Sequence, residues 1–284
     1  MTYQISGHTQ LGCLLGTPVA HSVSPLMHNE AFRILGMYRV YLCFDTKNKD
    51  LGTIVDALRQ MNVFGFNLTM PDKERIIPYL DELSPAAQMI GAVNTVVNTE
   101  GRLIGHNTDG IGYMRSLQDV DYDCTSGPMT LLGAGGAARA IAVELANAGA
   151  ARIDILNRGK ARGEELCALI NEKTATQAVL HLWDGDFAIP ADTTLLVQAT
   201  SIGLYPDESC PALDFATLRS DITVCDIVPN PPRTALIRRA EEAGCRTFTG
   251  LPMLVAQGAV SFKLWTGKDA PRDVMEAALA ADQG

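Results

Sequence analysis

Apolar and polar positions alternate with a period of two along Phe64–Met70. Phe64, Phe66, Leu68 and Met70 face one way, and Gly65, Asn67 and Thr69 face the other. That pattern predicts a half-buried strand, and Pro71 ends it. A helical period governs the stretch "SPLMHNEAFRILG". Ser24 is a candidate N-cap, Pro25 stands at the first helical position and Gly36 is the stop. Met27, Ala31, Ile34 and Leu35 fall on one stripe at helical spacing, the side expected to be buried. "LGCLLG" and "VYLCFD" read as short strands, Leu51 to Gln60 as a helix, and "DKERIIPYLDEL" as helical turns. "SPAAQMIG" repeats the Ser-Pro start and Gly stop. "AVNTVVNTEGRLIGHN" reads as a hairpin with a Gly-containing turn. Strands joined by helices imply a largely parallel sheet.

The pattern changes near residue 125. "TSGP" is loop chemistry. After it come "MTLLGAGGAARAIAVELANAGA", "ARIDILNRG", a helix from Lys160, "TTLLVQATSIGL" and "ITVCDIV". Strand, turn and helix recur in series, as in a doubly wound nucleotide-binding domain. "GLPMLVAQGAVSFKLWTG" and "DAPRDVMEAALAA" then form two helical stretches able to extend either domain.

Size and composition narrow the functional classes. A chain of 284 residues exceeds one comfortable core, so two domains are expected. A formal net charge of −9 argues against a nucleic-acid or anionic-membrane surface, and leaves room for a local cationic phosphate site. The seven cysteines form no CxxC and mostly lie inside apolar runs, which fits reduced thiols in the cytoplasm. The stretch "MTYQISGHTQ" has neither a basic nor an apolar signal-peptide segment, and no apolar run approaches membrane-spanning length. His8, His21, His28, His106 and His181 are scattered, so no metal site is expected. The chain gives no choice between monomer and homodimer.

Two kinds of position carry chemistry. "LLGAGGAA" presents Gly133-x-Gly135-x-x-Ala138, a dinucleotide fingerprint between an apolar strand and an Ala-rich helix. Gly133 permits a tight turn, Gly135 lets backbone approach a pyrophosphate, and Ala138 keeps the helix close to its strand. A merely structural glycine turn is the competing reading. The next strand ends at Asn157 where an NAD site usually offers an acid, and Asp154 lies three residues too early. Arg158, Lys160 and Arg162 follow, which suits a 2′-phosphate and hence NADP(H), with NAD(H) as the alternative. A solvated helix start would look similar.

In the first domain the candidates are polar residues that break local rules. Ser22 and Ser24 at a helix start could hold a carboxylate, although capping alone explains Ser24. Thr69 with Asp72 also fits a capping box. Asn94 interrupts the β-prone run "AVNTVV". Asp109 could be a plain N-cap. Lys73 sits in a first helical turn, where the helix dipole disfavours a cation.

Taken in order, these motifs resemble the shikimate dehydrogenase family, which includes quinate/shikimate dehydrogenases. The resemblance spans nearly the whole chain: "HSVSPLMHN", "NLTMPDK", "IGAVNTVV", "GHNTDGIG", "GAGGAARA", "NRGKAR" and "GLPMLVAQGA". It implies a two-domain α/β fold. An α/β substrate domain would comprise residues 1–112, completed by 250–284, and a Rossmann-type doubly wound NADP-binding domain residues 113–249. It implies reversible reduction of 3-dehydroshikimate to shikimate with NADPH. Ser22 and Ser24 would hold the substrate carboxylate, and Thr69, Asn94, Asp109 and Gln257 its hydroxyls and carbonyl. Lys73 would be the acid/base residue, paired with Asp109. Cofactor contacts would come from Gly133, Ala134, Gly135, Gly136, Ala137, Asn157, Arg158, Arg162, Thr200, Ser201 and Gly250. The chain departs from the family pattern at Asp72, often histidine or asparagine, at Pro229, commonly tyrosine, and at Gly159, frequently threonine. A quinate/shikimate enzyme using NAD, an enzyme of a related ring hydroxy acid and a catalytically silent ligand-sensing homologue are the alternatives.

Overall fold

The computed structural model describes residues 5–281, so the extreme ends of the expected first domain lie outside the described residues. From the start the order is β1 (Gln10–Gly16), α1 (Ser24–Ile34), β2 (Arg39–Asp45), α2 (Leu51–Gln60), β3 (Gly65–Leu68) and α3 (Asp72–Arg75). Then come β4 (Glu82–Leu83), α4 (Pro85–Ile90), β5 (Thr95–Thr99), β6 (Arg102–His106) and α5 (Asp109–Gln118). The next stretch holds β7 (Met129–Leu132), α6 (Gly136–Asn147), β8 (Arg152–Asn157), α7 (Lys160–Lys173), β9 (Gln177–Leu182), β10 (Phe187–Ala188) and β11 (Leu195–Gln198). It continues with β12 (Leu213–Asp214), β13 (Thr223–Asp226), α8 (Ala235–Glu242), β14 (Arg246–Phe248), α9 (Gly250–Thr266) and α10 (Arg272–Ala281). The described residues up to Gly112, with those from Val255 on, form one unit, and Tyr113–Leu254 form a second.

The first unit carries a six-stranded sheet in the order β2-β1-β3-β5-β6-β4. It is mixed rather than largely parallel. β1 pairs in parallel with β2 and β3, but β5 runs antiparallel to both β3 and β6. The hairpin accounts for the β5–β6 pairing. Thr99 pairs with Arg102 across a two-residue loop, Glu100–Gly101, with both φ values positive (53° and 89°). Such a loop matches strand twist and folds β6 directly back. One core joins Leu15, Val55, Phe66, Leu68, Val93, Val96 and Leu103.

Helix α1 departs from the expected stripe. Met27, His28, Ala31 and Phe32 are buried, whereas Ile34 and Leu35 are 50% and 37% exposed. Phe32 stacks on Phe262, 5.2 Å between centroids, and the aromatic contacts decide which face turns inward. Ser24 is also the first helical residue rather than the N-cap. Val23 holds the cap position, without a side-chain bond. Gly36, at φ +63°, ends the helix as expected.

In the second unit the sheet order is β14-β13-β11-β7-β8-β9, all parallel. This is the doubly wound arrangement, with its switch point between β7 and β11. Every residue of β7, β11 and β13 is buried, Thr130, Gln198, Thr223 and Asp226 included, so these strands show no alternation of buried and exposed positions. Among the described residues the cysteines are all free, and no helix is long and apolar enough to cross a membrane.

His28 is the exception in the first core. It is fully buried and neither ring nitrogen has a hydrogen-bond partner. Tyr41 and Trp265 lie 4.7 and 5.3 Å from its ring centre. Burial pulls its pKa down from 6.5 to about 3. The unfolded chain therefore binds a proton between these values while the folded chain does not. Stability from this group is full above pH 6.5 and is lost as pH falls towards 3. Urea denaturation at pH 7 and pH 4 is expected to show His28→Leu losing about 3 kcal/mol less than wild type over that interval. Equal losses would show that His28 does not carry this linkage.

Candidate active site

The Lys73 side chain is delivered by a short chain of main-chain bonds. Thr69 N donates to Leu15 O (2.8 Å), Met70 O accepts from Thr17 N (2.8 Å), and Asp72 N donates to Thr69 O (2.9 Å). Met70 is 47% exposed and Pro71 occupies the cap of α3, so the strand ends at Leu68, two residues before the alternation suggests. Lys73 O then accepts from Val93 N (2.8 Å), which ties α3 to the approach of β5. Thr69 makes no side-chain cap bond to α3, so no capping box forms. No other described residue hydrogen-bonds its hydroxyl.

Lys73 Nζ meets Asp109 Oδ2 at 2.5 Å, with the two side chains only 17% and 7% exposed. Asp109 opens α5, and its N–H donates to Asn107 Oδ1 (3.1 Å). Its other oxygen, Oδ1, accepts from Asn94 Nδ2 at 2.8 Å. The Asn94 amide also donates to Thr108 Oγ1 (2.8 Å), while its oxygen accepts from Thr108 N (2.8 Å) and Thr95 Oγ1 (3.0 Å). Asn94 therefore orients Asp109 and leaves Oδ2 for the lysine. Gln257 joins from α9, its Oε1 accepting from Asn94 Nδ2 (3.3 Å). Gly112 lets these helices approach, since a Cβ there would lie 2.6 Å from that of Gln257.

Behind this group lies a buried hydroxyl layer that sequence reasoning left unassigned. Ser261 Oγ lies 2.8 Å from Thr95 Oγ1 and 3.2 Å from Thr108 Oγ1, and it donates to Gln257 O. Asn67 Nδ2 donates to Thr95 Oγ1 (3.0 Å), and Asn67 Oδ1 accepts from Tyr41 Oη (2.6 Å). The available signal was the placement of Asn67 on the polar side of its strand and of Ser261 one turn beyond Gln257. Ser22 and Ser24 have no bond to this group. The Ser22 hydroxyl accepts from Ser24 N (3.3 Å) at the start of α1. Burial pushes the Cys43 thiol pKa up, and a hydrogen bond with Ser22 partly offsets the rise.

In the second unit the glycine turn has the geometry of an anion cradle. Gly133, at φ +108°, follows β7, and its would-be Cβ lies 3.0 Å from Ala199 O. Gly135 caps α6 with no side-chain bond, and nothing lies within 4 Å of the place a Cβ would occupy. The first N–H groups of α6, from Gly136 and Ala137, are thus left for a ligand. Ala134 and Ala138 are buried against the sheet.

Asn157 ends β8 and donates to Gly159 O (2.7 Å), so no carboxylate stands at that strand end. Arg158 is exposed and lines a depression of about 540 Å³ with Ser201, Trp183, Asp184 and Asp207. Arg162 is exposed one turn into α7. Gln198, fully buried at the end of β11, shapes the neighbouring loop: it accepts from Thr200 N and donates to Ile202 O, both at 2.8 Å. Gly250 is required by backbone proximity, because a Cβ there would lie 2.4 Å from Ile227 O. Asp226 organises that same loop, accepting from Val228 N (3.0 Å) and Thr234 Oγ1 (2.7 Å), and burial pushes its pKa up to about 6. Among the described residues no cluster suits a metal ion.

Comparison with known proteins adds an independent line. Residues 14–96 match the shikimate dehydrogenase substrate binding domain, and residues 250–280 match the shikimate 5'-dehydrogenase C-terminal domain. A shikimate dehydrogenase (NADP(+)) of Alkaliphilus metalliredigens is 44% identical over 95% of this chain and 96% of its own. The crystal structure of shikimate 5-dehydrogenase from Listeria monocytogenes, in complex with shikimate and NAD, is 42% identical with a TM-score of 0.87. It covers 98% of this chain and 99% of that one. The ligand-free 5-ketofructose reductase of a Gluconobacter strain is 38% identical with a TM-score of 0.87, covering 98% and 100%.

The open space at Gly135 makes a clean test of the cradle. Gly135→Val is expected to keep Tm within about 3 °C of wild type, because nothing lies within 4 Å of the new Cβ. The same side chain would fill the anion's place and raise the NADP⁺ Kd at least about tenfold by titration calorimetry. Unchanged affinity would remove the anion role from this turn.

Proposed function

We infer that this chain, which belongs to the shikimate dehydrogenase family, is an NADP-dependent shikimate dehydrogenase. It reversibly reduces 3-dehydroshikimate to shikimate. The observation that carries the residue roles is the sequestered Lys73–Asp109 pair, held by Asn94 on the oxygen the lysine leaves free.

The second unit fits the cofactor. An uncapped helix start faces open space at Gly135, and the exposed Arg158 stands where a carboxylate would repel a 2′-phosphate. Gly133–Ala137 would hold the pyrophosphate, Asn157, Arg158 and Arg162 the adenosine phosphate, and Thr200, Ser201 and Gly250 further cofactor contacts. When bound, NADPH supplies the hydride. These are the chain's own tasks in the reaction: Ser22 and Ser24 hold the carboxylate at the start of α1, where the positive end of the helix dipole favours an anion. Thr69 offers its unengaged hydroxyl to the ring. As negative charge develops on the ketone oxygen, Lys73 stabilises it and passes its proton to that oxygen. In the other direction the amine takes the proton back. Asp109 keeps the lysine aimed, and Asn94 with Gln257 keeps Asp109 aimed. Free thiols throughout the described chain support a reducing, cytoplasmic setting.

Steady-state assays of shikimate and quinate, each with NADP⁺ and NAD⁺, test the activity. The highest kcat/KM is expected for shikimate with NADP⁺. A higher value for quinate with NAD⁺, or turnover of 5-ketofructose alone, would overturn the assignment. In the same assay Lys73→Ala is expected to lower kcat by roughly 10²- to 10⁴-fold with little change in the shikimate KM. A comparable rise in KM with kcat intact would make Lys73 a binding residue instead. Arg158→Ala should raise the KM for NADP⁺ by roughly tenfold while that for NAD⁺ stays within about twofold. Equal effects on both would remove the 2′-phosphate from Arg158.

A further inference from the structure

We propose that Asp72 is a positioning residue that sets where the Lys73 amine can reach. The proposal rests on Lys73 being the acid/base group. Asp72 immediately precedes Lys73, and its carboxylate has no exposed surface. Among the described residues two groups hold it. Thr46 Oγ1 donates to Oδ2 at 2.5 Å, and Arg75 donates to Oδ1 at 2.8 Å from a side chain that is 53% exposed. Thr46 is itself buried just beyond the end of β2, and its N–H donates to Gly16 O at the end of β1 (3.0 Å). The Asp72–Thr46 bond therefore fastens α3 to the ends of β1 and β2.

The other ties on this turn act before or after Asp72. Leu15 O and Thr17 N hold Thr69 and Met70, and Val93 N holds the Lys73 carbonyl. Asp72 is the side-chain anchor between them. The need for an anchor follows from the chemistry. A lysine has four flexible side-chain bonds, and its ion pair with Asp109 must yield whenever the amine turns to a substrate oxygen. What then limits the arc of Nζ is the position of the main chain beneath it. Burying a carboxylate is costly when its partners are few, and an apolar side chain could fill the same space. The hydrogen bond to Thr46 gives the carboxylate a directional role that an apolar side chain lacks.

Asp72→Ala, Asp72→Asn and Thr46→Val, with the Thr46→Val/Asp72→Ala double variant, test this. Two measurements are used: kcat and KM on the substrate that the wild type turns over, and the ¹³C NMR signal of Lys73 after reductive methylation. The signal is identified by its loss in Lys73→Ala. Asp72→Ala is expected to lower kcat by about 10- to 100-fold with KM within about threefold, and to shift the Lys73 signal. Asp72→Asn keeps an oxygen for Thr46 and should stay within about threefold of wild type, with its signal in place. Thr46→Val should reproduce the Asp72→Ala defect, and the double variant should be no worse. Wild-type kcat and an unmoved signal in Asp72→Ala or Thr46→Val would overturn the proposal, whatever happens to Tm. So would a defect in Asp72→Asn equal to that of Asp72→Ala. If Asp72→Ala does not fold, Thr46→Val decides. Should Lys73→Ala retain full turnover, the acid/base reading fails, while the NMR comparison still shows whether Asp72 places the amine.

Discussion

The first unit is arranged around one electrostatic requirement: a lysine ammonium and a carboxylate must sit together in a nearly closed site without losing their alignment. Removing either partner from a buried pair leaves an uncompensated charge, at a cost of about 3–5 kcal/mol. The surrounding fold meets that requirement by dividing the work. Asp109 offers Oδ2 to Lys73 and Oδ1 to Asn94, so neither oxygen is left without a donor. Asn94 spends its amide on Asp109 and Thr108 and its oxygen on Thr108 and Thr95. The turn after β3, the approach to β5, the start of α5 and the middle of α9 must all meet for this arrangement to exist.

The second unit solves a different problem with different means. Backbone shape governs it, so the decisive residues are those without side chains. Gly133 adopts a left-handed φ, Gly135 leaves space open, and Gly250 accepts a neighbouring backbone carbonyl. Side chains act one step back: buried Gln198 shapes the loop at Thr200, and Asp226 shapes the one at Val228. The Lys73–Asp109 site of the first unit instead depends on side-chain partners.

Several elements were legible because their cause is local. The Gly133–Ala138 turn, the Gly36 stop and the hairpin at Glu100–Gly101 follow from backbone conformations that few residues adopt. Lys73 drew notice as a cation in a first helical turn, and Asn94 as an asparagine in a β-prone run. Other features were misread where a non-local contact decides. Helix α1 turned its aromatic side inward and left Ile34 and Leu35 exposed, because Phe32 has Phe262 to pack against. The first sheet became mixed because β5, half of the expected hairpin, also pairs antiparallel with the more distant β3.

By itself the sequence determined the strand and helix alternation, the glycine-rich turn, the cation cluster at Arg158 and the order of motifs that resemble one family. Each is a property of neighbouring residues, whose backbone preferences and periodicity can be read without knowing what lies across the fold. Only the tertiary structure decided what the polar residues are bonded to. Asn94 holds Asp109, Ser261 joins Thr95 and Thr108, the His28 ring nitrogens have no hydrogen-bond partner among the described residues, and Asp72 is tied to Thr46. A hydrogen bond spans a few ångströms in space but can join residues 166 positions apart, as between Thr95 and Ser261. No local pattern specifies such a partner.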